Sequence, residues 1–342
     1  MNRTYLQMIS GESTAHTPVW FMRQAGRSQV KYREIKNGRT LFDIVREPEL
    51  CAYVTKLPVD EYDVDAAILY NDIMTPLLPM GVDVEIQSGI GPVIANPIRT
   101  RHDIDQLRAF NMAEELPFMG ETIRLLTQEQ LTVPLIGFCG APFTLASYMI
   151  EGGPSKNYIK TRQMLLGEPE LWDYLMTKLT DMSIDYLLYQ IKSGANAIQI
   201  FDSWIGIVGT EVYHYRIFPH MCRLIDALHR QYPHVPITIF GVGTTHLLPV
   251  WKELPIDVIG IDWRCSWQLA KHMGIQQTIQ GNLDPLYLFS EWSILKAEID
   301  RILMHGKLHG RHIFNLGHGI LPDTNPDIIK RVVAYVHEAS QV

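Results

Sequence analysis

The chain has 342 residues, 46% apolar and 20% charged, which is the make-up of a folded globular protein and excludes a disordered or collagen-like one. Thirty Lys and Arg against 37 Asp and Glu leave a net charge of −7, which argues against a nucleic-acid or anionic-lipid partner. No apolar run approaches the roughly 20 residues that span a bilayer, Met1–Glu12 lacks a signal-peptide profile, and Cys51, Cys139, Cys222 and Cys265 stand apart without a CxxC pair, so a reducing, cytoplasmic setting is expected.

In chain order, Pro18–Met22 (PVWFM) is the first candidate strand, followed at once by Arg23-Gln24-Ala25-Gly26-Arg27. Two guanidiniums four residues apart, with no acidic residue before Glu34, point to an anion site and an acidic substrate; the plain alternative is a surface pair on a turn. Ala66–Tyr70 (AAILY) is the next strand and leads into Asn71 and Asp72. Val82–Ile94 alternates in period two around Ser88-Gly89 and reads as an inserted β-hairpin. After the strand Pro134–Phe138 (PLIGF), Leu171, Leu175, Leu179, Met182, Tyr186 and Ile191 mark one face of a helix closed by Gly194. Ala197–Phe201 (AIQIF) then runs into Asp202 and Ser203. His220 and Cys222 have a zinc-like spacing within the helical stretch Tyr213–His229, but no cysteine follows the last strand to complete a site, so they read as structural.

Four more strands follow: Pro236–Phe240, Val258–Ile261 with Asp262 behind it, Thr278–Gln280 with Asn282 and Asp284, and His312–Leu316 with His318 between two glycines. Asn325 caps a last helix that starts at Pro326 and buries Ile329, Val332, Val333 and Val336.

Seven or eight such runs alternating with helices predict an α/β fold, a (β/α)₈ TIM barrel forming a single domain over 1–342 with the hairpin inserted beside it. A doubly wound dinucleotide fold fits less well, because Gly241-Val-Gly243-Thr-Thr-His246 lacks the third glycine of its phosphate loop. In a barrel the chemistry sits at the carboxyl ends of the strands, where these polar residues stand. A single Asp behind a strand is more often a turn former or cap, and His318 is evenly balanced between function and structure. No lysine directly follows a strand run, which weakens Schiff-base chemistry, and no HxH occurs, which weakens a metal-dependent amidohydrolase.

Taken together, Thr17–Arg27 (TPVWFMRQAGR), Val64–Met74 (VDAAILYNDIM), Gly140–Gly153 (GAPFTLASYMIEGG), Ile200–Ser203 (IFDS), Gly281–Pro285 (GNLDP) and Asn315–Gly319 (NLGHG) with Pro322-Asp323 resemble the uroporphyrinogen decarboxylase family over essentially the whole chain. The resemblance implies a distorted (β/α)₈ barrel, a homodimer with facing clefts, and an enzyme of haem biosynthesis working without metal or organic cofactor. It would convert the four acetates of uroporphyrinogen III to methyls, giving coproporphyrinogen III and four CO₂. It makes Asp72 the central aspartate that receives the pyrrole N–H groups; to remain ionised in a buried site, Asp72 should be surrounded by several N–H donors or cations. Arg23 and Arg27, with Gln24 and the Ala25-Gly26 backbone, become the carboxylate-binding loop. Tyr148, Ser203 and His318 become hydrogen-bonding partners of substrate carboxylates, and Phe42 and Phe201 apolar contacts to the ring; Asp72, Arg23, Arg27, Tyr148 and His318 form the catalytic set. Ser28, Asn71 and Trp204 depart from residues common in the family. Two other readings use the same features: a zinc or corrinoid methyltransferase sharing the barrel, which needs thiolate and imidazole ligands at strand ends, and a non-catalytic tetrapyrrole carrier, which need not keep Asp72.

Overall fold

Short strands apolar on both faces suit a parallel sheet, covered outside by helices and filled inside by side chains. The computed structural model describes residues 2–87 and 89–341. Its strands are β1 (Ala67–Ile68), β2 (Val84–Gln87), β3 (Gly91–Ile94), β4 (Leu135–Gly140), β5 (Ala197–Phe201), β6 (Ile237–Phe240), β7 (Val258–Gly260), β8 (Thr278–Gln280) and β9 (His312–Ile313). Seven of them form one parallel sheet in the order β1-β4-β5-β6-β7-β8-β9, each neighbour reached through helical structure.

The expected eighth strand is present only as a bridge. Val19 pairs with Phe314; Phe314 N–H donates to Pro18 O (2.8 Å) on one side and Asp65 N–H to Val19 O (2.8 Å) on the other, so this segment spans the two edges of the curled sheet. It goes no further because Pro18 has no N–H, Met22 N–H turns to the Asn315 side chain (3.4 Å), and Arg23 leaves the extended region at φ 60°. Other strands are also shorter than their apolar runs. Beyond Ile68, the Tyr70 N–H goes to Thr55 Oγ1 (3.0 Å), and beyond Ile313 the chain makes only single bridges at Phe314 and Leu316.

The hairpin forms from β2 and β3, with Val84 opposite Ile94 and Gln87 opposite Gly91. Ser88, assigned to its turn, lies outside the described residues; Gly89 is left-handed at φ 80°. The hairpin's return strand rests on the end of the helix Pro142–Glu151, where Ile94 N–H donates to Gly152 O (2.9 Å). The helix predicted from Leu171 onward spans Pro169–Ser193, and Gly194 follows at φ 126°. The last helix is Pro326–Ala339, with the Asn325 side chain accepting Asp327 N–H (2.9 Å). The stretch around His220 is instead two helices, Thr210–Arg216 and Phe218–Gln231, separated at Ile217 just before Pro219.

Within the barrel, Trp20 Nε1 donates to Gln280 Oε1 (3.0 Å) and Gln280 Nε2 to Gln199 Oε1 (3.1 Å), a buried polar chain crossing the interior. One inward position further along β5, Phe201 packs edge-on to Phe138 and Phe240, at ring separations of 5.5 and 6.3 Å. These three rings close the barrel at the carboxyl end and form the floor of a cleft. A continuous apolar core runs around the sheet, and a small second one (Tyr32, Ile44, Val45, Cys51, Val54, Leu57, Tyr70) supports the excursion that carries the arginines.

Candidate active site

Asp72 follows β1 on a loop that its neighbours hold rigid. Asn71 Oδ1 accepts the Asp72 N–H (2.8 Å) and the Thr75 hydroxyl (2.5 Å), while Asn71 Nδ2 donates to the Tyr186 hydroxyl (3.1 Å). The carboxylate is partly exposed to the cleft, and one of its oxygens accepts Met74 N–H (2.9 Å). Burial raises its pKa, and the Met74 N–H and the charge of Arg23 offset that rise only in part. In place of the several donors expected around Asp72, the described residues supply one N–H and one nearby cation.

The arginine loop separates its two guanidiniums. Arg23 is exposed, with charge felt by Asp72, Tyr148 and His318, whereas the charge of Arg27, also exposed, is felt by Tyr32 and Lys36. Their charges therefore act on different neighbours rather than as one paired fork. Between them, Gln24 is fully buried and its amide is committed to the fold: Oε1 accepts Phe21 N–H (3.0 Å) and Nε2 donates to Ala66 O (3.0 Å). Its side chain sets the turn and does not reach the cleft. Ala25 is half-buried, and the Gly26 N–H is directed at Gln29 Oε1 (3.3 Å), itself tied to Glu61. Ser28 is buried beneath the loop.

The opposite wall is aromatic. Tyr148, on the helix Pro142–Glu151, meets Trp204 edge-on at 5.2 Å, and Trp204 meets Tyr158 at 5.1 Å. Burial pushes the Tyr148 hydroxyl up to about 12, so it stays a neutral hydrogen-bond donor. Ser203 is half-buried just past β5, beside the floor ring of Phe201. Phe42 lies on the helix Leu41–Val45 and lines a groove of about 250 Å³ with Arg46, Thr75, Leu78, Arg108 and Phe118.

His318 is half-buried, and burial together with the charges of Arg23 and Arg264 brings its pKa to about 4, leaving a neutral imidazole. Its two glycines have separate reasons. A Cβ on Gly317 would come within 2.4 Å of Trp263 N, and one on Gly319 within 2.6 Å of Arg23 Cδ. The His318 loop is therefore clamped between the Trp263 backbone and the Arg23 side chain. Sequence reasoning overlooked Tyr158 and Arg264; reading only the first polar residue past each strand stops at Asp262, two positions short of Arg264.

The other polar residues behind strands are structural. Asn282 bonds Asp262 O and Cys265 O, Asp284 caps Leu286 N–H, and Asp262 accepts Gly243 N–H (2.7 Å) and Arg264 N–H (3.1 Å). Asp202 is buried, bound by Thr144 Oγ1 (2.8 Å), and desolvation brings its pKa to about 7. His220 bonds Asp173 (3.0 Å), not Cys222. Among the described residues, the group of His, Cys, Asp or Glu atoms close enough to hold a metal is His16, Asp65 and His337, at the amino end of β1 and away from the cleft. Cys51, Cys139 and Cys265 are buried, with thiols raised by desolvation, and among the described residues no cluster of His, Cys, Asp or Glu with metal-holding geometry stands at the strand ends.

The same fold occurs in a methyltransferase from Methanosarcina mazei, with a TM-score of 0.76 at 16% identity over 98% of both chains. It also occurs in a putative vitamin-B12-independent methionine synthase from Listeria monocytogenes, with a TM-score of 0.53 at 14% identity over 94% of this chain and 96% of that one. Identities this low establish the α/β barrel-like architecture only. The family profile described as "Uroporphyrinogen decarboxylase (URO-D)" matches residues 1–339. Proteins named uroporphyrinogen decarboxylase are 56% identical in Staphylococcus haemolyticus, over 98% of both chains, and 54% identical in Staphylococcus aureus strain RF122, over 99% of this chain and 98% of that one. Sequence agreement of that depth over the full length, on a fold that by itself leaves the chemistry open, makes this chain a member of the uroporphyrinogen decarboxylase family.

Proposed function

We propose that the cleft binds uroporphyrinogen III and converts its four acetates to methyls, giving coproporphyrinogen III and four CO₂. The chain is a carboxy-lyase of haem biosynthesis. The observation that carries the site assignment is the convergence of Asp72, Arg23, Tyr148 and His318 above the Phe138–Phe201–Phe240 floor. Each turnover is –CH₂–COO⁻ plus H⁺ going to –CH₃ plus CO₂. A proton adds to the ring carbon next to the one bearing the arm, the C–C bond pair moves into the cationic ring as CO₂ leaves and an exocyclic methylene forms, and that methylene is protonated to the methyl as the neighbouring ring carbon gives its proton back. The electron sink is the substrate's own pyrrole, so this reading needs no metal or organic cofactor. Asp72 faces the pyrrole N–H groups and lowers the energy of the developing cation in a site walled off from water. Arg23 and Arg27 hold carboxylates; a guanidinium keeps its proton too tightly to be a good acid, so the proton arrives through water or a substrate carboxyl. Tyr148, Ser203 and neutral His318 orient the arms, the Ala25-Gly26 backbone and the Gln24-shaped turn frame the arginines, and Phe42 and Phe201 contact the ring. The enzyme works in the cytoplasm as a homodimer of single-domain chains over 1–342, a state that sedimentation would check.

The test is anaerobic incubation with uroporphyrinogen III, followed by oxidation and chromatography of the porphyrins. Wild type gives seven-, six-, five- and then four-carboxyl products, while Asp72→Ala loses at least about 10²- to 10³-fold in rate with an unchanged fold. Unaltered eight-carboxyl material from wild type would turn the assignment toward a carrier.

A further inference from the structure

The arginine loop leaves one wall of the cleft short of cations for a substrate with carboxylates around its whole rim, and the structure has a cation on that wall. Arg264 stands three residues past the Val258–Ile261 run, on the turn that backs the His318 loop, since Gly317 lies directly on Trp263 N. Its backbone is pinned once and its side chain held from two directions. The Arg264 N–H donates to Asp262 Oδ1 (3.1 Å), its Nη1 reaches Asp262 Oδ2 (3.3 Å), and the guanidinium lies 4.6 Å over the Trp263 ring. Asp262 is buried and its own oxygens are shared with Gly243 N–H (2.7 Å), so it positions the guanidinium without enclosing it. The side chain remains 53% exposed, and among the described residues only Nη1 of its five donors is engaged. A planar fork, pre-ordered by an aromatic face and one carboxylate, with its other edge open, is the arrangement for bidentate carboxylate capture.

We propose that Arg264 is a substrate-binding residue of this enzyme, which holds a carboxylate arm on the side of His318 away from Arg23. The inference rests on the decarboxylase reading above. Arg23 lies with Asp72, where an acetate reacts, so Arg264 takes an arm that is not reacting in that turnover. It supplies binding energy remote from the chemistry, and Trp263 and Asp262 fix its direction.

Arg264→Gln and Arg264→Lys are compared with wild type in the anaerobic assay, at low and high salt, with thermal unfolding as the check of fold. Arg264→Gln is expected to raise KM about tenfold or more for the eight-carboxyl substrate, with a larger effect on KM than on kcat and a smaller loss of kcat/KM on adding salt than in wild type. Arg264→Lys recovers part of the affinity, since a point charge keeps attraction but not the fork. Active wild type with Arg264→Gln unchanged in KM and salt response overturns this inference alone. Inactive wild type overturns the decarboxylase reading instead. A variant with a lowered unfolding temperature is replaced by Trp263→Leu, which frees the guanidinium without removing it; a raised KM there supports the proposal and an unchanged one counts against it.

Discussion

At φ 60° the Arg23 backbone sits in a conformation that costs an L residue of order 1–3 kcal/mol. The return is direction: its side chain leaves the barrel seam and lies along Gly319 toward Asp72 and His318. Gly319→Ala tests this, because it puts a methyl where Arg23 Cγ and Cδ now lie, at 2.8 and 2.6 Å. The expected result is a loss of kcat/KM on the order of 10²-fold from a shift of about 1 Å in the guanidinium, with little change in unfolding temperature. Asp72 carries a second prediction. Free, it has one N–H and a raised pKa; in the proposed complex it would gain the pyrrole N–H donors, which would lower it. Falling pH should therefore reduce kcat/KM, which reports the free enzyme, at a higher pH than it reduces kcat, which reports the complex. Coincident acid limbs would contradict that role. The positions of Arg23 and Asp72 were legible in the chain as residues behind apolar runs. Their surroundings were not, because the Gln24 amide, Asn71 and Gly319 act through contacts with Ala66, Tyr186 and Arg23 that no local pattern encodes.

The apolar runs marked where the strands lie: Ala197–Phe201 and Thr278–Gln280 coincide with β5 and β8, β4 runs on to Gly140, and the runs ending at Tyr70 and Leu316 overstate β1 and β9. The reason is physical: at the carboxyl ends the backbone must leave the ladder to present side chains, as at Tyr70, while the burial that makes the run apolar continues. The closing segment Pro18–Met22 shows the cost of so short a ladder and how it is offset. Asp65 accepts Val19 N–H (2.8 Å), His16 Nε2 (3.0 Å) and His337 Nε2 (2.8 Å), tying the first strand-like segment, β1 and the last helix together. The Asp65 hydrogen bond raises the pKa of His16 above 6.5, so its contribution is complete below 6.5 and is lost as pH rises through the folded value. The bonds from His16 and His337 outweigh burial and hold the Asp65 pKa below 3.8; its contribution is complete above 3.8 and is lost as pH falls through the folded value. The clamp is strongest between these limits. Asp65→Ala should cost about 3 kcal/mol there, read by denaturant unfolding, and His16→Gln should flatten the alkaline limb. An unchanged alkaline limb in His16→Gln would remove His16 from the clamp.

On the scale of the whole molecule, the curled sheet is shared with a methyltransferase at 16% identity and a putative methionine synthase at 14%, so the architecture alone does not select a reaction. What stands at the strand ends of this chain is a carboxylate, arginines and aromatic rings, with Cys51, Cys139 and Cys265 buried. Exhaustive dialysis against a chelator should accordingly leave carboxyl removal unchanged, whereas loss of activity restored by zinc would point back to the methyltransferase chemistry. Barrel topology was readable from the alternation of runs and helices. Ring closure through one bridge was not, since it depends on hydrogen bonds between Pro18 and Phe314, almost 300 residues apart.

The phenylalanine floor also governs traffic. Beneath Phe138, Phe201 and Phe240 the barrel is filled by Trp20, Gln280 and Gln199, so the interior offers no passage behind the floor. On the proposed reading, each CO₂ leaves on the side of the macrocycle that released it, and with one Asp72 per cleft the ring pivots in place or backs out and re-enters before its next arm is served. Partly processed rings should therefore be found outside the enzyme whenever backing out is faster than pivoting.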